Sequence, residues 1–305
     1  MSTWVVGAGG LLGSAVVRAL GASFQPGRVP WQEPERAISA LEQQAAEFAA
    51  AAGQEPWAIV WAAGQATTSS TAEQTAVELT VFTAFVTAVR EHLPAGPGTV
   101  FITSSAGGVY GGSVGAPFDA CTAPKALGTY GELKLAQEQV ASEILGSHCQ
   151  VVIGRVSNLY GPGQDLSKLQ GLISRLALAS ITREPITMFV SLDTLRDYLY
   201  VDDAAAIICC WLEQARTLDG RPHVVVIAAG QSVSLGYVIA TMQDITRTRI
   251  PVAYGAHASS SAQSRDLRLT PTDAERMRPL VRMPLVAGAK SVHLDVLERH
   301  QLDAR

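Results

Sequence analysis

Tyr130 and Lys134 stand four positions apart in the segment YGELK, so a helix there places both on one face, one turn from each other. A phenol is a poor base at neutral pH, but a neighbouring ammonium favours its phenolate, which can then take a proton from an alcohol. Such a pair arises often by chance, and its meaning depends on what surrounds it. The run GAGGLLG spaces Gly7, Gly10 and Gly13 three apart, straight after the apolar run Trp4 to Val6 and ahead of a helix-period segment from Leu11. Small residues there let a strand turn tightly and let backbone N–H groups, those of Leu11 and Leu12 included, approach a pyrophosphate at the positive end of the helix. Gly13 lets that helix sit close on the sheet.

An acidic residue is expected roughly 20 residues beyond such glycines, to bind the adenosine ribose. The stretch SFQPGRVPW offers Arg28 instead. An arginine there suits a 2′-phosphate, and a solvated loop arginine is an equal reading, so the cofactor is read as NAD or NADP with a lean to NADP. Ala62, Ala63 and Gly64 end another strand-like run and keep that tip free of bulk where the adenine side of a dinucleotide would lie.

The elements that must position these residues follow from periodicity. Apolar, often β-branched runs recur at Trp4 to Val6, Ile59 to Ala62, Val100 to Thr103, Val151 to Gly154 and Val224 to Ala228. Helix-period segments alternate with them: Leu11 to Leu20, Glu35 to Ala52, Ala72 to Leu93, Tyr130 to Leu145 and Asp202 to Leu212. This alternation predicts an α/β fold, a Rossmann-type doubly wound parallel sheet with crossover helices. In the segment from Ala72, one apolar stripe (Leu79, Phe82, Val86, Val89) lies beside a second (Val77, Val81, Phe85), so the helix is expected to be buried on two sides, in the core or in a subunit interface. From about Gly161 prolines multiply and segments shorten, which suits a smaller C-terminal α/β substrate-binding domain. The expected division is 1–157 plus about 197–229 for the dinucleotide domain, and about 158–196 plus 230–305 for the substrate domain.

Composition narrows the partners. The 305 residues, 48% of them hydrophobic, suffice for a large core. A net charge of −4 with interleaved signs provides no basic stripe for nucleic acid. The four cysteines, Cys121, Cys149, Cys209 and Cys210, lack metal-ligand spacing and read as buried, reduced thiols of a cytoplasmic protein, with no metal site. No signal peptide and no membrane span are expected.

In order along the chain, the glycine turn, TSSAGGVYGG from Thr103, YGELK from Tyr130, GRVSNLYGPGQ from Gly154 and RDYLYVDDAA from Arg196 resemble the extended short-chain dehydrogenase/reductases, the NAD-dependent epimerase/dehydratase group. The resemblance spans about residues 1–230. It implies that Tyr130 exchanges the proton of a substrate hydroxyl, that Lys134 holds the nicotinamide ribose, and that Thr103 and Ser104 border the cofactor. The hydroxyl-bearing helper, four residues before the tyrosine of VYG in that group, falls here on Ala106, so Ser105 takes its place as candidate, with Ser104 behind it. Asn158 and Arg196 are implied in substrate binding, Arg196 on a nucleotide-sugar diphosphate, with Arg265 or Arg268 as a second grip; the usual glycine-rich run before Arg196 is replaced by VSLDT.

Dehydratases of that group carry an acidic pair where this chain has Gly107 and Gly108. The expectation is therefore a sugar-nucleotide epimerase, with a keto-sugar reductase as alternative and a non-catalytic NAD(P) sensor as the alternative of another class. A homodimer through the helices from Ala72 and Tyr130 is expected as well.

Overall fold

In the computed structural model, residues 1–167, 171–219, 222–255 and 264–303 are described. The first part of the chain runs β1 (Ser2–Val6), α1 (Leu11–Leu20), α2 (Pro34–Ala52), β2 (Trp57–Trp61), α3 (Ala72–Glu91), β3 (Gly98–Ser105), α4 (Ala106–Val109), α5 (Thr129–Leu145) and β4 (Gln150–Val156). There follow β5 (Asn158–Tyr160), α6 (Leu172–Thr182), β6 (Ile186–Met188), β7 (Leu195–Tyr200), α7 (Val201–Ala215), β8 (His223–Ile227) and β9 (Ser232–Ser234). The chain ends with α8 (Leu235–Thr246), β10 (Val252–Tyr254), β11 (Asp266–Leu267), α9 (Ala274–Met277) and α10 (Leu285–Asp303).

A parallel five-stranded sheet in the order β1-β2-β3-β4-β8 carries the first part, with Phe24 bridged to Trp4 beyond β1. The strands are apolar because helices cover both faces, and their two-residue period sorts the side chains. Trp4, Val6, Ile59, Trp61, Val100 and Ile102 pack under α2, α3 and α5, whereas Val5, Val60, Phe101 and Val152 pack under α1 and α7. The structure is thus a Rossmann-like α/β sheet.

Helix α3 begins with a full capping box, Thr71 and Gln74 bonding each other's backbone. Its aromatic residues belong to this chain's own core: Phe82, Phe85, Val86 and Val89 are buried between α2, α5 and the sheet. The interface alternative therefore fails for Phe82 and Phe85, and only Val77, 46% exposed, remains outside from the second stripe. The cysteines also depart from expectation. Cys121 is exposed in a turn where Asp119 accepts its backbone N–H, and Cys149, Cys209 and Cys210 are only partly buried, all four being free thiols. Burial nevertheless pushes the Cys149 thiol up to about 12 and the Cys209 thiol up to about 11.

The second part gathers round its own apolar cluster, in which α6, α8 and α10 contribute Leu176, Val238, Met242, Val292 and Val296. Its strands are short and pair at long range: β7 lies between β5 and β11, β9 runs antiparallel to β7, and β10 pairs with β6. Among the described residues no helix is long and apolar enough to cross a membrane.

Candidate active site

The glycine turn is dictated by contact. Gly7 has φ +87°, and a Cβ there would lie 2.7 Å from the Ala63 nitrogen; one on Gly13 would lie 2.1 Å from the Gly7 oxygen. These two glycines are required by the fold itself, and they bring the β2 tip, Ala62 to Gly64, against the turn. Gly10 differs: a Cβ there meets only the Gly7 oxygen, at 3.4 Å, and one on Gly9 meets nothing within 4 Å. Gly10 is the N-cap of α1 and no side chain caps it, so the first-turn amides of Leu11 and Leu12 have no side-chain acceptor among the described residues. Open space in front of an uncapped, positive helix end fits the pyrophosphate of a dinucleotide. Arg28 lies exposed in the segment between Phe24 and α2.

Helix α5 carries the pair. Tyr130 is in its first turn and Lys134 one turn on, with the ammonium 5.7 Å from the Tyr130 ring centroid. The Lys134 Nζ is buried and donates to Gln137 Oε1 at 2.9 Å; Glu78 Oε1 of α3 lies 3.8 Å away. The tyrosine ring rests on α4: a Cβ on Gly108 would stand 3.2 Å from Cδ1 and Cε1 of Tyr130. Glycine at 108, which on sequence argued only against a dehydratase acid, is thus also the seat of the phenol.

The hydroxyls at the end of β3 diverge. Ser105 Oγ accepts the Gly108 N–H at 3.2 Å as the cap of α4, so it shares with Tyr130 the same contact residue. Ser104 turns inward and donates to Glu138 Oε1 at 2.5 Å. Thr103 Oγ1 is buried with no hydrogen-bond partner among the described residues. Ala106 is fully buried and faces the cluster of Val109, Tyr110 and Phe118.

Beneath the pair lies a network that sequence reasoning missed. Arg155 of β4 makes a bidentate pair with Glu138, Nε to Oε1 at 3.0 Å and Nη2 to Oε2 at 2.7 Å, and donates from Nη1 to the Tyr110 hydroxyl at 2.8 Å. That hydroxyl donates in turn to the Asp119 carbonyl. Two signals were available: an arginine in the otherwise apolar strand VVIGRV, and a glutamate one turn beyond Lys134 on the same face. Glu78 and Gln137 were missed too.

On the other side, Arg196 in β7 is buried, and its Nη1 donates to the carbonyl of its neighbour Leu195 at 2.8 Å. Burial holds its pKa below the usual arginine value. Asn158 donates to the Asp197 carbonyl at 3.1 Å, tying β5 to β7. Arg265 is exposed and ion-paired with Asp193 of the VSLDT loop, while Arg268 is paired with Asp266, so neither offers a free guanidinium beside Arg196. Among the described residues no cluster of three or more His, Cys, Asp or Glu could hold a metal ion.

A family model, "NAD dependent epimerase/dehydratase family", matches residues 3–228. The chain belongs to this family. A dTDP-4-dehydro-6-deoxyglucose reductase from Escherichia coli is 32% identical over 149 residues, 47% of this chain and 44% of that protein. A dTDP-L-rhamnose 4-epimerase from Burkholderia thailandensis is 29% identical over 119 residues, 37% of this chain and 31% of that protein. Each match thus spans less than half of the curated relative. A UDP-glucose 4-epimerase from Thermotoga maritima, solved with UDP-glucose, shares the fold: TM-score 0.79 over 99% of this chain and 100% of that one, at 21% identity.

Proposed function

We propose that the chain is an NAD(P)-dependent epimerase of nucleotide-linked sugars that works by transient oxidation of a substrate hydroxyl. The observation that carries this reading is the Tyr130–Lys134 pair on α5, seated on Gly108 of α4 just beyond β3, beside a sheet whose first turn leaves α1 uncapped. Tyr130 takes the hydroxyl proton. Ser105, beside the same glycine, helps to orient that hydroxyl, and this supports it over Ser104, whose hydroxyl is committed to Glu138. The dinucleotide, when bound, accepts and returns the hydride. Gly7, Gly10, Leu11, Leu12 and Gly13 hold its pyrophosphate end, Ala62 to Gly64 its adenine side, and Thr103 and Lys134 its nicotinamide end. Arg196 and Asn158 serve the nucleotide-sugar from the lobe formed by about 158–196 and 230–305. A keto-sugar reductase is the second reading, favoured by the reductase from Escherichia coli.

Exposed Arg28, with no ion pair among the described residues, supports the lean to NADP. The outer face of α3, with Val77, Thr80 and Thr87, together with α5 supports a homodimer, and four free thiols suit the reducing cytoplasm. The test is titration of NADH and NADPH by calorimetry, followed by product NMR with UDP-glucose and dTDP-4-dehydro-6-deoxyglucose. Tyr130→Phe is expected to lower turnover by about 10² to 10⁴ with cofactor affinity within a few fold, and Ser105→Ala to lower it substantially. Normal turnover by Tyr130→Phe defeats the mechanism; tight cofactor binding without turnover of any sugar nucleotide turns the reading toward a sensor.

A further inference from the structure

We propose that Glu78 is a positioning residue whose single carboxylate sets both the Lys134 ammonium and the loop after β2. The inference rests on the reading of Lys134 given above. Glu78 projects from α3, an element remote in sequence from YGELK, and is nearly as enclosed as its partner: the two side chains are 12% and 8% exposed. The two oxygens of the carboxylate divide the work. Oε2 accepts the backbone N–H groups of Gln65 and Ala66, both at 2.7 Å, and so pins the loop that leaves the Ala62–Gly64 tip. Oε1 faces the Lys134 Nζ at 3.8 Å and accepts a long bond from Gln137 Nε2 at 3.5 Å, while Gln137 Oε1 accepts from Lys134 at 2.9 Å. Gly64 lies beside the pair, since a Cβ there would lie 3.1 Å from Glu78 Oε1 and 3.7 Å from Lys134 Nζ.

A buried ammonium is costly unless an anion compensates it. Among the described residues, Glu78 is the carboxylate within ion-pair distance of Lys134. A long, flexible lysine stem does not hold its own charge in place. The groups facing Glu78 are Lys134 and Gln137 from α5, with Tyr130 beyond the lysine, and the backbone amides of Gln65 and Ala66 from the β2 loop. A clamp for the loop alone would need only Oε2; the placement of Oε1 is what reaches the pair on α5.

Glu78→Gln separates the two tasks, because the amide oxygen can still accept the loop N–H groups while the charge facing Lys134 is gone. The expected result is a fall of about tenfold in kcat on UDP-glucose or dTDP-4-dehydro-6-deoxyglucose, with the Kd for NADH or NADPH within about threefold. Glu78→Ala releases the loop as well and should weaken cofactor binding about tenfold or more. A second measurement needs neither cofactor nor substrate: a urea-denaturation cycle of Glu78→Gln, Lys134→Met and the double variant. Glu78→Gln should lower the folding constant about tenfold in the parent and cause no loss in the Lys134→Met background, where it removes an orphaned charge. An equal loss in both backgrounds, or parental kcat in Glu78→Gln, overturns the proposal. A parent that binds neither cofactor defeats the functional reading instead, and the denaturation cycle still decides whether Glu78 acts through Lys134.

Discussion

Two buried arginines show how differently the two parts of the molecule treat a cation. Arg155, in β4 of the sheet, and Arg196, in β7 of the second part, are 5% and 8% exposed. Burial acts to lower the pKa of both. For Arg155 the hydrogen bonds and charges of Glu138 and Tyr110 outweigh it and leave the pKa above the usual arginine value; for Arg196 the more distant Tyr198 and Asp266 do not, and it stays below. One charge is neutralised by the chain as it folds. The other has a main-chain carbonyl and no ion pair among the described residues, an arrangement that an anionic ligand would complete. The difference separates a cation paired within the fold from one that has no ion pair among the described residues.

The comparison breaks most visibly at Glu138. Glu138→Ala leaves the Arg155 charge buried without its anion, and guanidinium denaturation should show a loss of about 3–5 kcal/mol. Replacing both partners, Glu138→Leu with Arg155→Met, should recover most of that loss, because no buried charge is then orphaned and the remaining cost is the neutral Ser104 hydroxyl that loses its acceptor. A loss below about 1 kcal/mol for Glu138→Ala would remove the distinction between the two arginines.

Arg196→Met tests the other half. It removes a buried charge that has no ion pair among the described residues, so stability without ligand should stay level or rise. Affinity for UDP-glucose, measured by calorimetry, should fall about 10- to 100-fold, the worth of hydrogen bonds to an anion. Destabilisation with unchanged affinity would place Arg196 in the frame beside Arg155.

The same contrast governs what could be read from the sequence. The sheet, its helices, the glycine turn and the Tyr130–Lys134 spacing were legible because each is written in contiguous residues with a period of two or of about 3.6. Helix α1 begins at Leu11, where that period starts, and α5 at Thr129, one residue ahead of the expected Tyr130. The second part was not legible in detail: β5, β6, β9 and β10 have three residues each and exist by pairing with distant partners, such as Asp197 with Ser232. Glu78 escaped for a related reason. Its partners are backbone amides and a lysine that only tertiary packing brings to α3, whereas Arg155 within VVIGRV announced a buried anion that the sequence reading left unused.

Asp197 sharpens the comparison at the smallest scale. It follows Arg196 on β7, but successive strand residues point to opposite faces, and the two buried charges form no ion pair. Its carboxylate accepts the N–H groups of Ala229 and Gln231, at 2.9 and 3.0 Å. Burial pushes its pKa above the ordinary value of 3.8, against the opposing pull of those bonds. The folded state therefore binds this proton more readily than the unfolded chain does. Its contribution to stability is full below the ordinary value and is lost as pH rises through the higher, folded one. Asp197→Asn cannot ionise, and it turns an amide N–H toward a backbone N–H at a pH-independent cost of about 1–3 kcal/mol. Denaturation midpoints of parent and variant between about pH 3 and pH 7 should differ most at the acid end. The gap should narrow toward neutrality, with a slope no steeper than about 1.4 kcal/mol per pH unit, the limit for one proton. A gap that widens with rising pH would mean that the backbone donors more than compensate the buried carboxylate, and Asp197 would then be neutralised by the fold as Arg155 is, leaving Arg196 as the exception on its strand.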